Sequence, residues 1–437
     1  MKVFAFRGGV HPPDYKEFSK DRPIEVFPPP EKVRVPLSQH LGVTASPVVQ
    51  KGDEVAAGQI IGQLKGFVSA NVHSPVSGKV TALADVQLAS GLMSQGVEIQ
   101  SDGQDNFSSG LAPLGNINKE SVVQAVKDAG IVGMGGATFP AHVKLQPPGD
   151  KIISLLILNA AECEPFLTCD YRLMLEEPDR IIRGAELLMV ALGINKCIIG
   201  IEDNKPEAVE VIRATIEGRD NISVQLLKTH YPQGGEKQLI YALTGKEIPS
   251  GGLPMDVGCV VHNVGTAAAV ADAVDKGLPL IERILTVSGD AVSNPSNFKV
   301  RIGTPISEVL NAAGLDEENC AKIVLGGPMT GMAQANLETT VTKGTSGILA
   351  LTKNWVSEKL PDPCLRCGRC VDVCPVGLEP TEIEAFVTKK DIEGLKKSNA
   401  LDCIECGCCA YECPSRRSLV HSIRHGKAQL TALRKAT

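Results

Sequence analysis

The sequence predicts a multidomain α/β protein that ends in a small, cysteine-rich helical domain. Three observations carry this. The chain has 437 residues, more than one ordinary core holds. Its middle alternates short apolar runs with amphipathic ones. Its C-terminal part repeats one cysteine pattern.

Composition narrows the function classes. Hydrophobic residues make up 43% and aromatic residues 4%, and the formal net charge is −6. No general basic footprint points to nucleic acid. The apolar run before Arg7 is too short for the core of a signal peptide. The run IISLLILNAA, residues 152–161, is about half of the ~20 residues a membrane helix needs. A soluble, cytoplasmic protein is expected. Fourteen cysteines in a reducing compartment point to metal or redox work rather than disulfides.

The elements follow in order. Residues 32–82 contain VVQKGDEVAAGQIIGQLKG and VHSPVSGKVTAL, short valine-rich strands punctuated by KGD and SPVSG turns. KESVVQAVKDA, residues 119–129, reads as a helix stopped by Gly130. GIVGMGGATFPAHVKL follows, where Gly133, Gly135 and Gly136 open the backbone to a phosphate or a flat ring. A helix precedes these glycines, whereas the usual dinucleotide fingerprint starts from a strand. The alternation then begins: strand 152–158, helix 178–193, strand 196–202, helix 205–218, strand 222–228. This pattern is doubly wound α/β, in which ligands sit beyond the carboxyl ends of the strands. NAAECEPF leaves the first strand at that edge. Asn159, Glu162 and Glu164 beside a glycine loop suit a flavin and a pyridine nucleotide, although acids in such a loop are more often merely solvated.

Cys364, Cys367, Cys370 and Cys374 follow C-x2-C-x2-C-x3-C, with Pro375 next. Cys403, Cys406, Cys409 and Cys413 repeat the frame, with Pro414. Structural zinc sites need neither the third cysteine nor the proline. The duplicated run resembles a bacterial two-cluster ferredoxin. In such runs the fourth cysteine ligates the other cluster. One [4Fe–4S] cluster is therefore assigned to Cys364, Cys367, Cys370 and Cys413. The second is assigned to Cys403, Cys406, Cys409 and Cys374. Cys408 falls outside the frame and is read as a small residue packed beside a cluster.

GIVGMGGATFPAHVK, LNAAECEP, YPQGGEK and HNVGTAAAV, in that order, resemble the flavin subunit of respiratory complex I. With FRGGVHPPDYK and the cassettes, nearly the whole chain resembles the C subunits of Rnf (Rsx) complexes, ion-translocating oxidoreductases between NADH and ferredoxin. The resemblance implies four modules. These are an N-terminal segment with a biotinyl/lipoyl-like barrel-sandwich domain (1–100), an FMN/NADH-binding Rossmann-like domain (115–280), a ubiquitin-like SLBB domain (281–350) and a two-[4Fe–4S] ferredoxin-like domain with a basic tail (355–437). Where the carrier lysine of swinging-arm domains would sit, this chain has Phe67, so the first module is read as structural.

The resemblance also implies site residues. Gly133, Gly135, Gly136 and Lys144 would hold FMN, with Asn159, Glu162, Gly235, Glu236, Asn263 and Thr266 completing the pocket. Phe139 would stack on the NADH adenine, and Glu164 would approach the nicotinamide riboside as the catalytic group. Met134, Thr138, Ala161 and Lys237 depart from the complex I pattern, which has arginine, glycine, aspartate and a second acid there. The implied role is a peripheral electron-input subunit on the cytoplasmic side of a bacterial inner membrane. Its partners would be NADH, the membrane subunits and a ferredoxin-like subunit. A soluble cobalamin-reductase-like enzyme and a flavin-free electron carrier are the rival readings.

The tail after Pro414 carries Arg416, Arg417, Arg424, Lys427, Arg434 and Lys435 and no acid. Leu419, Ile423, Leu430 and Leu433 share a helical face, with Gly426 as a weak point. Two readings stand: a dock for an anionic membrane or acidic partner, and a helix that covers the cluster domain.

Overall fold

The computed structural model describes residues 3–108, 110–357 and 359–436, with the side chains of 434–436 outside the description. The periodicities of the middle region become real elements. Strand Leu155–Ala160, helix Pro178–Leu192, strand Cys197–Glu202, helix Pro206–Thr215 and strand Ile222–Leu227 each lie within a few residues of the predicted bounds. A fourth strand, Cys259–Asn263, completes the sheet. The spatial order is 222–227, 197–202, 155–160, 259–263, and all three pairings are parallel. Every residue of Cys197–Glu202 is buried, as expected of a parallel strand covered on both faces. The strand order reverses between Leu155–Ala160 and Cys259–Asn263. There, at the carboxyl ends, Asn159 stands opposite Asn263. A switch point of this kind is where doubly wound folds bind ligands.

Helix Lys119–Asp128 is capped by Asn118, whose side chain accepts from Ser121 N while Ser121 Oγ accepts from Asn118 N. It ends at Gly130, whose φ of +64° delivers the chain into the glycine loop.

The strands of residues 32–101 form a four-stranded antiparallel sheet and a three-stranded one, the barrel-sandwich arrangement. Phe67 stands exposed at a bend. Residues 282–352 build a six-stranded sheet, the SLBB domain. One edge strand of that sheet comes from far away: Ile24–Val26 pairs in parallel with Ser296–Arg301. The segment before it touches two other domains. Phe4 bridges Leu227, Gly9 N donates to Val373 O at 2.8 Å, and Val10 pairs with Tyr231. Gly8 lies so close to the Cys374 carbonyl that a Cβ would stand 3.0 Å from its oxygen.

Lys343 fixes the barrel-sandwich and SLBB domains to the root of the glycine loop. Its Nζ donates to Asn71 O and Gly130 O, both at 2.6 Å. Burial pulls this ammonium down to about 7.

The tail forms helix Leu419–Ala436. Leu419, Ile423 and Leu430 are buried against the cluster domain, and only Leu433 remains exposed. Gly426 fits tightly, since a Cβ there would meet Val387 at 2.8 Å. Its basic residues are paired within the chain: Arg416 with Asp362, Arg417 with Glu384, and Arg424 and Lys427 with Glu405. The apolar face that a membrane dock would need is spent on the domain's own core. The structure thus shows the covering helix, and that face is not open to a membrane. Arg434 and Lys435 have side chains outside the described residues.

Candidate flavin pocket and cluster sites

The glycine loop lies over the switch point. Gly133 N donates to Phe139 O at 2.8 Å, closing the loop, and the Phe139 ring is half-buried at its far end. Met134 N donates to Thr266 Oγ1 at 3.0 Å, tying the loop to the first turn of helix Val264–Lys276. Gly135 faces Asn263 so closely that a Cβ would stand 3.0 Å from its side chain. Gly136 is exposed and has no atom within 4 Å of a Cβ position.

Around this loop the structure gathers most of the predicted pocket. Lys144 Nζ pairs with Glu236 Oε1 at 2.7 Å and donates to Val261 O at 3.1 Å. Asn159 Nδ2 donates to Gly234 O at 2.8 Å, beside Gly235. Asn263 caps helix Val264–Lys276 through Gly265 N and donates to Asp170 Oδ2 at 2.6 Å.

Two acids are held elsewhere. Glu162, at a left-handed φ of 46°, accepts from Asp170 N at 2.6 Å and Tyr171 N at 3.3 Å. It thereby satisfies the first amides of helix Cys169–Glu176. Burial pushes its carboxyl up to about 7 against the pull of Lys16. Glu164 accepts from Met329 N at 3.1 Å, Thr330 N at 3.0 Å and the Thr330 hydroxyl. The carboxylate's partners thus lie on SLBB loop 327–330 and at the Tyr231 hydroxyl, 3.4 Å away, while the Glu164 main-chain oxygen accepts from Lys16 Nζ at 3.1 Å. Burial raises its carboxyl, and these donors oppose the rise.

The departures at 134 and 138 have physical counterparts. Arg283, 5% exposed, reaches over from the SLBB sheet. Its Nη2 donates to Met134 O at 3.3 Å and its Nη1 lies 2.8 Å from Met134 Sδ. A guanidinium therefore stands beside position 134 without being part of it. Thr138 adopts φ of 54°, a left-handed conformation costly for a β-branched residue. Gly344 makes room for its methyl group, since a Cβ there would lie 2.5 Å from Thr138 Cγ2.

The pocket has unmet hydrogen-bonding capacity. Both polar atoms of the Gln233 side chain, fully buried next to Gly234, lack a partner, and so does His262 Nε2 beside Asn263. Burial holds His262 neutral, with its value lowered to about 3. Bare loop backbone, a lysine and orphaned amide and imidazole groups together fit a flat, phosphate-bearing, heteroatom-rich group such as FMN.

The two cassettes share one backbone. Arg366 and Glu405 both sit at positive φ (55° and 57°), as do Gly368 and Gly407 (79° and 87°), and each glycine precedes a short helix. Thiols of the two cassettes lie near one another. Cys374 lines one cavity with Cys403, Cys406 and Cys409. Cys413 packs with Cys370, in a group that also holds Cys409. Eight thiols in two repeated frames suit two [4Fe–4S] clusters. Cys408 is fully buried, borders the same cavity as Cys374, and lies 3.8 Å from Tyr231 O.

The chain's relatives agree with this geometry. Residues 4–104 match the RnfC barrel sandwich hybrid domain and 126–272 the Nuo51 FMN-binding domain. Residues 284–333 match the SLBB domain and 358–414 the 4Fe-4S dicluster domain. The C subunit of the proton-translocating ferredoxin:NAD(+) oxidoreductase complex of Clostridium ljungdahlii is 48% identical, covering 97% of this chain and 94% of that protein. This chain belongs to the RnfC family. The Na(+)-translocating counterpart from Acetobacterium woodii is 45% identical over 100% of this chain and 99% of its own. Among solved structures, an NAD+-reducing [NiFe]-hydrogenase in the H2-reduced state shares the fold. Its TM-score is 0.51 at 21% identity, over 72% of this chain and 63% of that one.

Sequence reasoning did not single out Tyr231, Gln233, His262 or Arg283. The first two stand inside the quoted YPQGGEK motif and His262 immediately precedes Asn263 in HNVGTAAAV. Only Arg283, on another domain, lacked any local signal.

Proposed function

We propose that this RnfC protein is the electron-input subunit of an ion-translocating ferredoxin:NAD(+) oxidoreductase, exchanging electrons between NAD(H) and a partner subunit. The observation that supports it best is the junction of two sites in one chain: a flavin-type pocket at the sheet switch point, and two cysteine cassettes packed against it. FMN, when bound, supplies the conversion between a two-electron hydride and one-electron carriers.

The chain's own residues do the rest. The open backbone at Gly135 and Gly136 lets the loop approach a phosphate or ring without a side chain between. Lys144 brings a positive charge, held in place by Glu236. Asn159, Gly235, Asn263 and Thr266 fix the walls, and Phe139 offers a ring for an adenine. Glu164 ties the pocket rim to loop 327–330. Its approach to a nicotinamide riboside requires that loop to release its donors. No general acid or base is needed.

No helix among the described residues is long and apolar enough to cross a membrane. The reading places attachment at the cytoplasmic face of the bacterial inner membrane, peripherally, through the membrane subunits and the ferredoxin-like subunit of the complex. Anaerobic purification followed by flavin and iron analysis tests the reading. One FMN and about eight irons per chain are expected, with flavin bleaching on NADH titration. A chain with iron but no flavin after reconstitution would reduce it to an electron carrier.

A further inference from the structure

The segment from Tyr231 to Gln238 has two faces. One forms the flavin pocket wall: Gly234 O accepts from Asn159, and Glu236 pairs with Lys144. The other rests on both cassettes, at Cys406 of the second and at Pro375 after the first. The Tyr231 hydroxyl donates to Cys406 O at 2.8 Å, and Gln238 Nε2 donates to Pro375 O at 3.3 Å. The Cys408 thiol lies against the Tyr231 carbonyl. Tyr231 is 3% exposed, so water does not replace these contacts.

A phenol has one proton to give. The Cys406 carbonyl lies at 2.8 Å and the Glu164 carboxylate at 3.4 Å. Glu164 already receives three donors from Met329 and Thr330. The proton therefore goes to the main chain of a thiol-bearing residue. Such outer contacts orient a ligand and tune the group it holds. By contrast, Cys364 and Cys367 of the first cassette are exposed.

We infer that Tyr231 is a positioning residue that holds the site of Cys374, Cys403, Cys406 and Cys409 against the flavin pocket. That site is the inner of the two. The site of Cys364, Cys367, Cys370 and Cys413 is the outer, facing the partner. The inference rests on the flavin and iron–sulfur reading above and adds the order of the sites and the residue that sets it.

Tyr231→Phe in the loaded full chain tests it. Cys406→Ser first assigns one of the two iron–sulfur electron paramagnetic resonance signals to the inner site. In Tyr231→Phe, flavin content and iron content stay as in the parent. The assigned signal shifts in g-values and midpoint potential, the other signal does not, and electron passage from flavin to iron slows about tenfold. Unchanged signals with an unchanged rate, or a shift of the other signal alone, overturn the inference. Gln238→Leu provides a second arm, with a smaller slowing and the same single-signal shift. If Tyr231→Phe does not fold, an unmoved inner signal in Gln238→Leu overturns the inference. A flavin-free chain would sink the proposed function, while the cluster signals would still decide whether Tyr231 positions Cys406.

Discussion

In the first cassette Cys364 and Cys367 are exposed and Arg366 and Arg369 face solvent. In the second, the matching positions are covered: Glu405 by Arg424 and Lys427, and Cys408 by Tyr231. The backbones are nearly the same, down to paired left-handed residues. A duplicated ligand frame thus fixes what is bound, while the packing around each copy fixes how open it is. Potential and partner access depend on the second quantity, which the motif does not encode.

The sharpest way to break this comparison is to remove a crossing ligand. Cys374→Ser should empty the site lined by Cys403, Cys406 and Cys409, taking iron from about eight to about four per chain. Retention of that site's signal, with loss of the other, would show that each cassette holds its own cluster. The covering helix comes next. Ile423 is 1% exposed, so Ile423→Ala should cost about 2–5 kcal/mol by denaturant unfolding of the cluster domain. Leu433→Ala, at a residue 43% exposed, should change stability by about 0.5 kcal/mol or less. Equal effects at both positions would contradict the described face.

Glu405 offers a pH test of the covered side. Burial alone would raise its carboxyl, but hydrogen bonds from Lys427 and Arg424 outweigh that and hold it below the ordinary 4.5. A depressed carboxyl contributes stability above its unfolded value, and loses it as pH falls through the folded one. The helix should therefore loosen below about pH 4.5 in the parent, and Glu405→Gln should flatten that dependence in hydrogen exchange. A small net effect is expected at the glycine loop. Thr138→Gly should relieve the left-handed backbone by about 1 kcal/mol or less, offset by lost packing on Gly344. A marked loss of thermal stability would show that the methyl contact outweighs the strain.

Much of this was legible because it is local. Periodicity gave the strands and helices of residues 155–227, and spacing gave the cassettes. What resisted reading lies between domains. Glu164 sits in a loop whose partners, Met329 and Thr330, are more than 160 residues away. Arg283 reaches position 134 across a domain boundary. The tail showed an apolar face, but amphipathicity does not name the surface that buries it. Ile24–Val26 has too few residues to announce a strand, and its partner is Ser296–Arg301.

That early segment also sets an order of assembly. Residues 4–10 rest on Leu226, Tyr231 and Val373, and residues 24–26 on the strand at 296–301. During synthesis these partners emerge long after the segment that needs them. Residues 4–26 are therefore seated late, once the cluster domain has left the ribosome. Contacts of such long sequence separation form slowly. Until they form, the glycine-rich strap leaves the Val373–Cys374 edge of the cassette uncovered, which makes closure of the N-terminus the step that seals the cluster domain onto the rest of the chain.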